Sequence, residues 1–127
     1  MADLVLIVDD DARNVKLACD VLEASGLRTL SAATAEEAIA VACAERPDLV
    51  LMDLRLPDLT GAEAARRLAE DERTCRIPVV ALSALPAGEP GSWAGAGFAG
   101  YIEKPVDVAA FPGQVRRYCA QQGSPHP

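Results

Sequence analysis

Three consecutive aspartates, Asp9, Asp10 and Asp11, follow a short apolar run, and another, Asp53, closes a second run further on. Brought together, Asp9, Asp10 and Asp53 would repel one another, and a cation would neutralise them. Mg²⁺ is the economical choice, a hard ion that takes one or two carboxylates, a backbone carbonyl and several waters. Ser83 ends a third run and Glu103-Lys104-Pro105 a fourth, adding a hydroxyl donor and a fixed positive charge. A metal, a lysine and a hydroxyl around a carboxylate suit a transferring phosphoryl group, whose charge is spread over three oxygens. The carboxylate can itself be the nucleophile, giving an aspartyl phosphate. Each residue also has an ordinary use: Asp11 as a helix N-cap, Asp53 or Ser83 as a turn residue, Lys104 as a solvated charge. A cap cannot account for Asp9 and Asp10 together. What marks the set is that four strand ends supply complementary groups.

The elements that must position these groups are legible as short apolar runs alternating with helical patterns. Leu4–Val8 is continuously apolar, as in a strand buried on both faces. Ala12–Ser25 repeats Val15, Ala18, Val21 and Leu22 at helical spacing and stops at Gly26. A weaker strand covers Arg28–Ser31. Thr34 with Glu37 forms a capping box for a helix to Glu45, before Pro47. Leu49–Met52 is a second buried strand, and after the loop Leu54–Leu59 a capping box of Thr60 and Glu63 opens a helix to Glu70. Pro78–Leu82 and Gly100–Glu103 read as the fourth and fifth strands. Asp107 caps a last helix to Ala120, in which Pro112 implies a kink or a late start. Residues 86–100 hold Pro86, Gly88, Pro90, Gly91, Gly95, Gly97 and Gly100. Interior helical Gly costs about 1 kcal/mol and Pro about 3, so any helix there is short or distorted. The alternation predicts an α/β doubly wound, mostly parallel five-stranded sheet, with ligands beyond the carboxyl ends of its strands.

The whole chain has 127 residues, the size of one domain, with a formal net charge of −7. That balance argues against a nucleic-acid partner, which needs clustered Lys and Arg. The longest apolar run, Leu4–Val8, is too short to span a bilayer, and no basic residue precedes it as in a signal peptide. Cys19, Cys43, Cys75 and Cys119 show no CxxC spacing, so reduced thiols are the expectation. Together these features imply a soluble, cytoplasmic domain with no membrane and no nucleic-acid role.

VLIVDDD, LVLMDLRLPDLTG, VVALSA and YIEKP, in that order, resemble the receiver domain of two-component response regulators, the CheY-like family. The general look is similar to stand-alone single-domain receivers of the DivK type. The likeness covers about residues 3–121, so the expected organisation is a receiver domain over 1–121 and a disordered tail over 122–127. It implies a flavodoxin-like (βα)5 fold with strand order 2-1-3-4-5, here with an irregular or shortened fourth helix. By position, Asp53 matches the phosphoacceptor. Asp10 matches the direct Mg²⁺ ligand, Asp9 its partner acting through water, and Arg55 the residue whose backbone carbonyl ligates the metal. Ser83 matches the hydroxyl residue on a phosphoryl oxygen, Lys104 the lysine that pairs with the acyl phosphate, and Tyr101 the aromatic switch. The Lys104–Pro105 bond is cis in such domains, a state open to proline.

The resemblance implies a signalling module rather than an enzyme, catalysing only its own phosphorylation and dephosphorylation. A sensor histidine kinase or histidine phosphotransfer protein would supply the phosphoryl group. A downstream protein target would read it, with a phosphorylation-dependent dimer as a further outcome. With no output domain expected, the phosphorylated surface must act on another protein. Ser83 lacks the methyl group of threonine, which loosens its coupling to Tyr101, and Arg55 brings a long cation near the phosphoryl group. The segment 86–100, with Trp93 as a partner anchor or a core residue, lies where partners dock on typical receivers. Two other readings compete. One is a haloacid-dehalogenase-type phosphohydrolase, whose DxD pattern Asp9 and Asp11 satisfy, but the hydroxyl residue or valine usual two residues after the second Asp is Arg13 here, and LVLMDLRLPD is left without a role. The other is a degenerate receiver serving as a binding scaffold, which the intact acidic set disfavours.

Overall fold

The computed structural model describes residues 3–54, 56–83, 98–103 and 107–119, with Ser83 and Glu103 as backbone only. Five strands form one parallel sheet: β1 (Leu4–Val8), β2 (Arg28–Ala32), β3 (Leu49–Asp53), β4 (Val79–Ser83) and β5 (Gly100–Glu103). Their order is β2-β1-β3-β4-β5. Four helices are described, α1 (Ala12–Ala24), α2 (Ala35–Glu45), α3 (Gly61–Glu70) and α4 (Phe111–Cys119). The expected doubly wound α/β fold is therefore the observed one. The expectation for 86–100 lies almost wholly outside the described residues.

The two faces of the sheet carry separate cores. Val5, Ile7, Leu49, Leu51, Val80, Leu82 and Ile102 pack under α1 and α4, against Leu22, Phe111 and Val115. Leu6, Val8, Val50, Met52 and Val79 pack on the other face against α2 and α3, through Ala38, Ala42, Ala65 and Leu68. The alternation along each strand is what a sheet covered on both sides requires. Small alanines on α2 and α3 let those helices lie close to the sheet.

The first capping box forms in full, and the second shows its Thr60 half. Thr34 Oγ1 accepts from the Glu37 N–H at 3.1 Å, and Glu37 Oε1 accepts in return from the Ala33 N–H at 2.8 Å. Thr60 Oγ1 accepts from the Glu63 N–H at 3.1 Å. Several boundaries shift. Regular helix α4 starts at Phe111 rather than just after Asp107, as the late-start reading of Pro112 allows. Asp107 caps the preceding turn, its Oδ1 accepting from the Ala109 N–H at 3.0 Å. Strand β4 begins at Val79, since Pro78 has no N–H, yet the Pro78 carbonyl still accepts from the Val50 N–H at 3.0 Å. Helix α2 ends with Arg46 in the left-handed region at φ 48°, just before Pro47. Burial pushes the Cys119 thiol up to about 12, so it behaves as a small core hydrophobe.

Candidate functional site

Register places the acidic residues. Val8 pairs with Met52, so Asp9 follows the last paired residue of β1 as Asp53 follows Met52 on β3. Asp9, Asp10 and Asp53 each offer a carboxylate oxygen, and these oxygens all lie within 4.8 Å of one another. Asp9 is 3% exposed and Asp53 8%, whereas Asp10 is open to solvent. Two buried carboxylates and one open to solvent form an all-oxygen pocket at the carboxyl ends of adjacent strands, where α/β sheets bind ligands.

Local structure holds the pocket. Asp9 Oδ1 accepts from the Asp11 N–H at 2.9 Å, and Asn14 Nδ2 of α1 donates to Asp9 Oδ2 at 3.4 Å. Asp11 is the N-cap of α1, accepting from the Arg13 N–H at 2.9 Å, which is the ordinary use expected of it. On β3, Asp53 pairs with Leu82, and the Leu54 N–H donates to the Leu82 carbonyl at 3.2 Å. The chain then turns sharply: the Gly61 N–H donates to the Leu54 carbonyl at 3.0 Å. A Cβ on Gly61 would stand 2.5 Å from the Asp53 carbonyl oxygen, so glycine is what lets α3 start so close to Asp53.

Of the remaining candidates, Ser83 ends β4 one position beyond Leu82, with its backbone paired to Glu103. Tyr101 lies on β5 opposite Ala81 and is half-buried. Arg55, Lys104 and Pro105 lie outside the described residues, as does Trp93. The structure thus brings three of the expected residues together, with Ser83 on the adjacent strand β4 and Tyr101 one strand further out on β5.

Asp58 went unassigned at the sequence level. From the loop after Asp53 it reaches across to α2, where its Oδ1 accepts from the Ala35 N–H at 2.9 Å and its Oδ2 from the Glu36 N–H at 3.0 Å. These two backbone donors, Ala35 first, hold its carboxyl below the usual carboxylate range. No local pattern signals a cap supplied from 23 residues away.

Residues 5–116 match the model of the response regulator receiver domain. The chain belongs to the response regulator receiver family. It is 37% identical over 119 residues to the polar-differentiation response regulator DivK of Brucella ovis, covering 93% of this chain and 97% of that one. It superposes with a TM-score of 0.86 and 29% identity on the receiver domain of a sensor histidine kinase from Pseudomonas aeruginosa PAO1, covering 94% of this chain and 99% of that one. That receiver has a magnesium ion coordinated in its active-site cleft. A CheY-like receiver domain protein from Methanospirillum hungatei superposes with a TM-score of 0.85 and 27% identity, covering 96% and 97%. This receiver is a phosphorelay response regulator with a signalling role, and the phosphohydrolase reading is not favoured. Among its described residues no helix is long and apolar enough to cross a membrane.

Proposed function

We propose that Asp53 is the phosphoacceptor of this receiver and that its modification switches protein–protein contacts. The observation that carries the reading is the meeting of Asp9, Asp10 and Asp53 within 4.8 Å at adjacent strand ends. An oxygen-only donor set with two buried carboxylates fits a hard divalent cation, and Mg²⁺ is the ion proposed. Asp10 and Asp53 would hold it directly, Asp9 through water, and Arg55 through its backbone carbonyl. Bound there, Mg²⁺ would offset the clustered negative charge and polarise the phosphoryl oxygens.

The chain's own residues do the rest. An Asp53 carboxylate oxygen attacks phosphorus in line as the P–N bond to the donor imidazole breaks, and the bonding electron pair leaves with that nitrogen. Asp9 is held beside Asp53 by the Asp11 N–H and the Asn14 side chain. Lys104 pairs with the acyl phosphate and Ser83 donates its hydroxyl to a phosphoryl oxygen. Movement of Ser83 toward the phosphate makes room for Tyr101 to turn inward, shifting a pre-existing two-state equilibrium. The phosphoryl source proposed is a histidine kinase or a histidine phosphotransfer protein in the cytoplasm, the reader a downstream protein or a second copy of the chain.

Titration with beryllofluoride and Mg²⁺ tests this, followed by backbone amide NMR with Asp53→Asn as control. Shifts spreading from Asp53 to Ser83 and Tyr101 in the wild type, absent from the variant, are expected. A wild type that does not respond would sink the reading.

A further inference from the structure

The acidic pocket lies partly beyond the ladder that holds β1 to β3. Val8 and Met52 are the last residues paired between β1 and β3; beyond them the Asp9 N–H reaches β2 and the Leu54 N–H reaches β4, and neither of these bonds joins one acidic segment to the other. Carboxylates within 4.8 Å of one another repel, and the segments that carry them must be held against that repulsion.

A closed circuit of contacts does so. The Asp9 N–H donates to the Ala32 carbonyl at 3.1 Å, tying the first acidic segment to the end of β2. Three residues later α2 begins, and its first two N–H groups, of Ala35 and Glu36, donate to the two oxygens of Asp58. From Asp58 the chain runs back to Leu54, clamped by the Gly61 N–H, and so to Asp53. The β1–β3 pairing closes the ring. Both oxygens of Asp58 are engaged, and the bonds are charge-assisted at the positive end of a helix, the stronger class of hydrogen bond. Thr34 already caps the Glu37 N–H, so α2 does not need Asp58 for its own first capping bond.

We infer that Asp58 is a positioning residue for phosphoryl transfer: it closes the ring around the pocket and holds the Asp53 loop at the separation that metal binding and attack require. The inference rests on the reading of Asp53 as phosphoacceptor. Because Asp58 acts through backbone, its loss should change the pocket more than it changes the overall fold.

The test uses the full chain with Asp58→Ala, Asp58→Asn and the control Asp71→Asn, which removes an ion pair to Arg73 away from the pocket. Three readouts apply: amide hydrogen exchange at Ala35 and Glu36, Mg²⁺ affinity by calorimetry, and phosphoryl uptake from a small phosphodonor. Asp58→Ala should speed exchange at both amides and weaken Mg²⁺ binding about tenfold, the range of a lost supporting contact. Asp58→Asn keeps one acceptor oxygen and should fall between it and the wild type; it serves alone if the alanine variant does not fold. Asp71→Asn should lower stability yet leave Mg²⁺ affinity unchanged. Mg²⁺ affinity and uptake rate at wild-type values in the Asp58 variants would overturn the inference. Uptake that persists in Asp53→Asn would overturn the phosphoacceptor reading itself, and the inference with it.

Discussion

The Tyr118 ring of α4 lies against Gly100, so close that a Cβ there would stand 2.5 Å from both Cε1 and Cζ of the ring. Gly100 opens the edge strand β5, one residue before Tyr101, where no tight turn requires glycine. It is there for space. The missing side chain lets an aromatic from the last helix lie over the strand that carries the proposed switch.

Gly100→Ala should therefore destabilise the receiver by about 1–3 kcal/mol, the usual cost of overpacking. Tyr118→Ala should itself cost stability but relieve the clash, so the double variant should be more stable than the sum of the two losses. A double-mutant cycle from urea unfolding measures this coupling. Strict additivity would show that the ring moves aside without cost.

Gly61→Ala places its new Cβ 2.5 Å from the Asp53 carbonyl and 2.8 Å from Leu54 Cα. Both are backbone atoms with no rotamer to escape into. The variant should lose about 1–3 kcal/mol in stability and take up phosphoryl groups more slowly. Wild-type uptake in a folded Gly61→Ala protein would contradict this account of the turn.

Acid should weaken the protein through Asp58 and Asp71. The Ala35 and Glu36 N–H groups hold the Asp58 carboxyl below its ordinary value, and hydrogen bonds from the Arg73 side chain and backbone do the same for Asp71. A carboxylate with a depressed folded pKa stabilises above its unfolded value, about 3.9, and that contribution is lost as pH falls through the folded value. Urea midpoints should fall from pH 5 toward pH 2, and less steeply in the double variant Asp58→Asn/Asp71→Asn. Asp58 is exposed and Asp71 half-buried but open to solvent, so the difference should shrink in high salt.

Mg²⁺ should raise the melting temperature of the wild type, because a ligand of the folded state alone stabilises it; the gain is about 2.7 kcal/mol at one hundred times Kd. Asp10→Asn should blunt that rise. In the presence of chelator the same substitution should raise stability, since one of three mutually repelling carboxylates is gone. Thermal scans with Mg²⁺ and with chelator check both signs.

Much of the fold was legible because its signals are local. Leu4–Val8 and Leu49–Met52 are unbroken apolar runs, and Thr34–Glu37 and Thr60–Glu63 bring cap and partner within one helical turn. Asp9, Asp10 and Asp53 were legible as a set because strand ends in a parallel sheet converge. Asp58 escaped because its partners, Ala35 and Glu36, follow a different strand, and an aspartate after a loop proline looks like any turn residue. Gly100 both closes a glycine-rich stretch and opens the fifth strand in the sequence, and neither signal says why it is glycine; only α4 packing onto β5 reveals the Tyr118 ring above it. Asn14, five residues beyond Asp9 on α1, carries no periodic signal either.

The central claim is that Asp53 receives the phosphoryl group. Its most direct test is to incubate the full chain with Mg²⁺ and a phosphohistidine donor, trap the product by borohydride reduction, and locate the modified residue by mass spectrometry. One acyl phosphate at Asp53, absent from Asp53→Asn and without chelatable metal, is the predicted result. Stable phosphate on another residue, or uptake that survives Asp53→Asn, would contradict it.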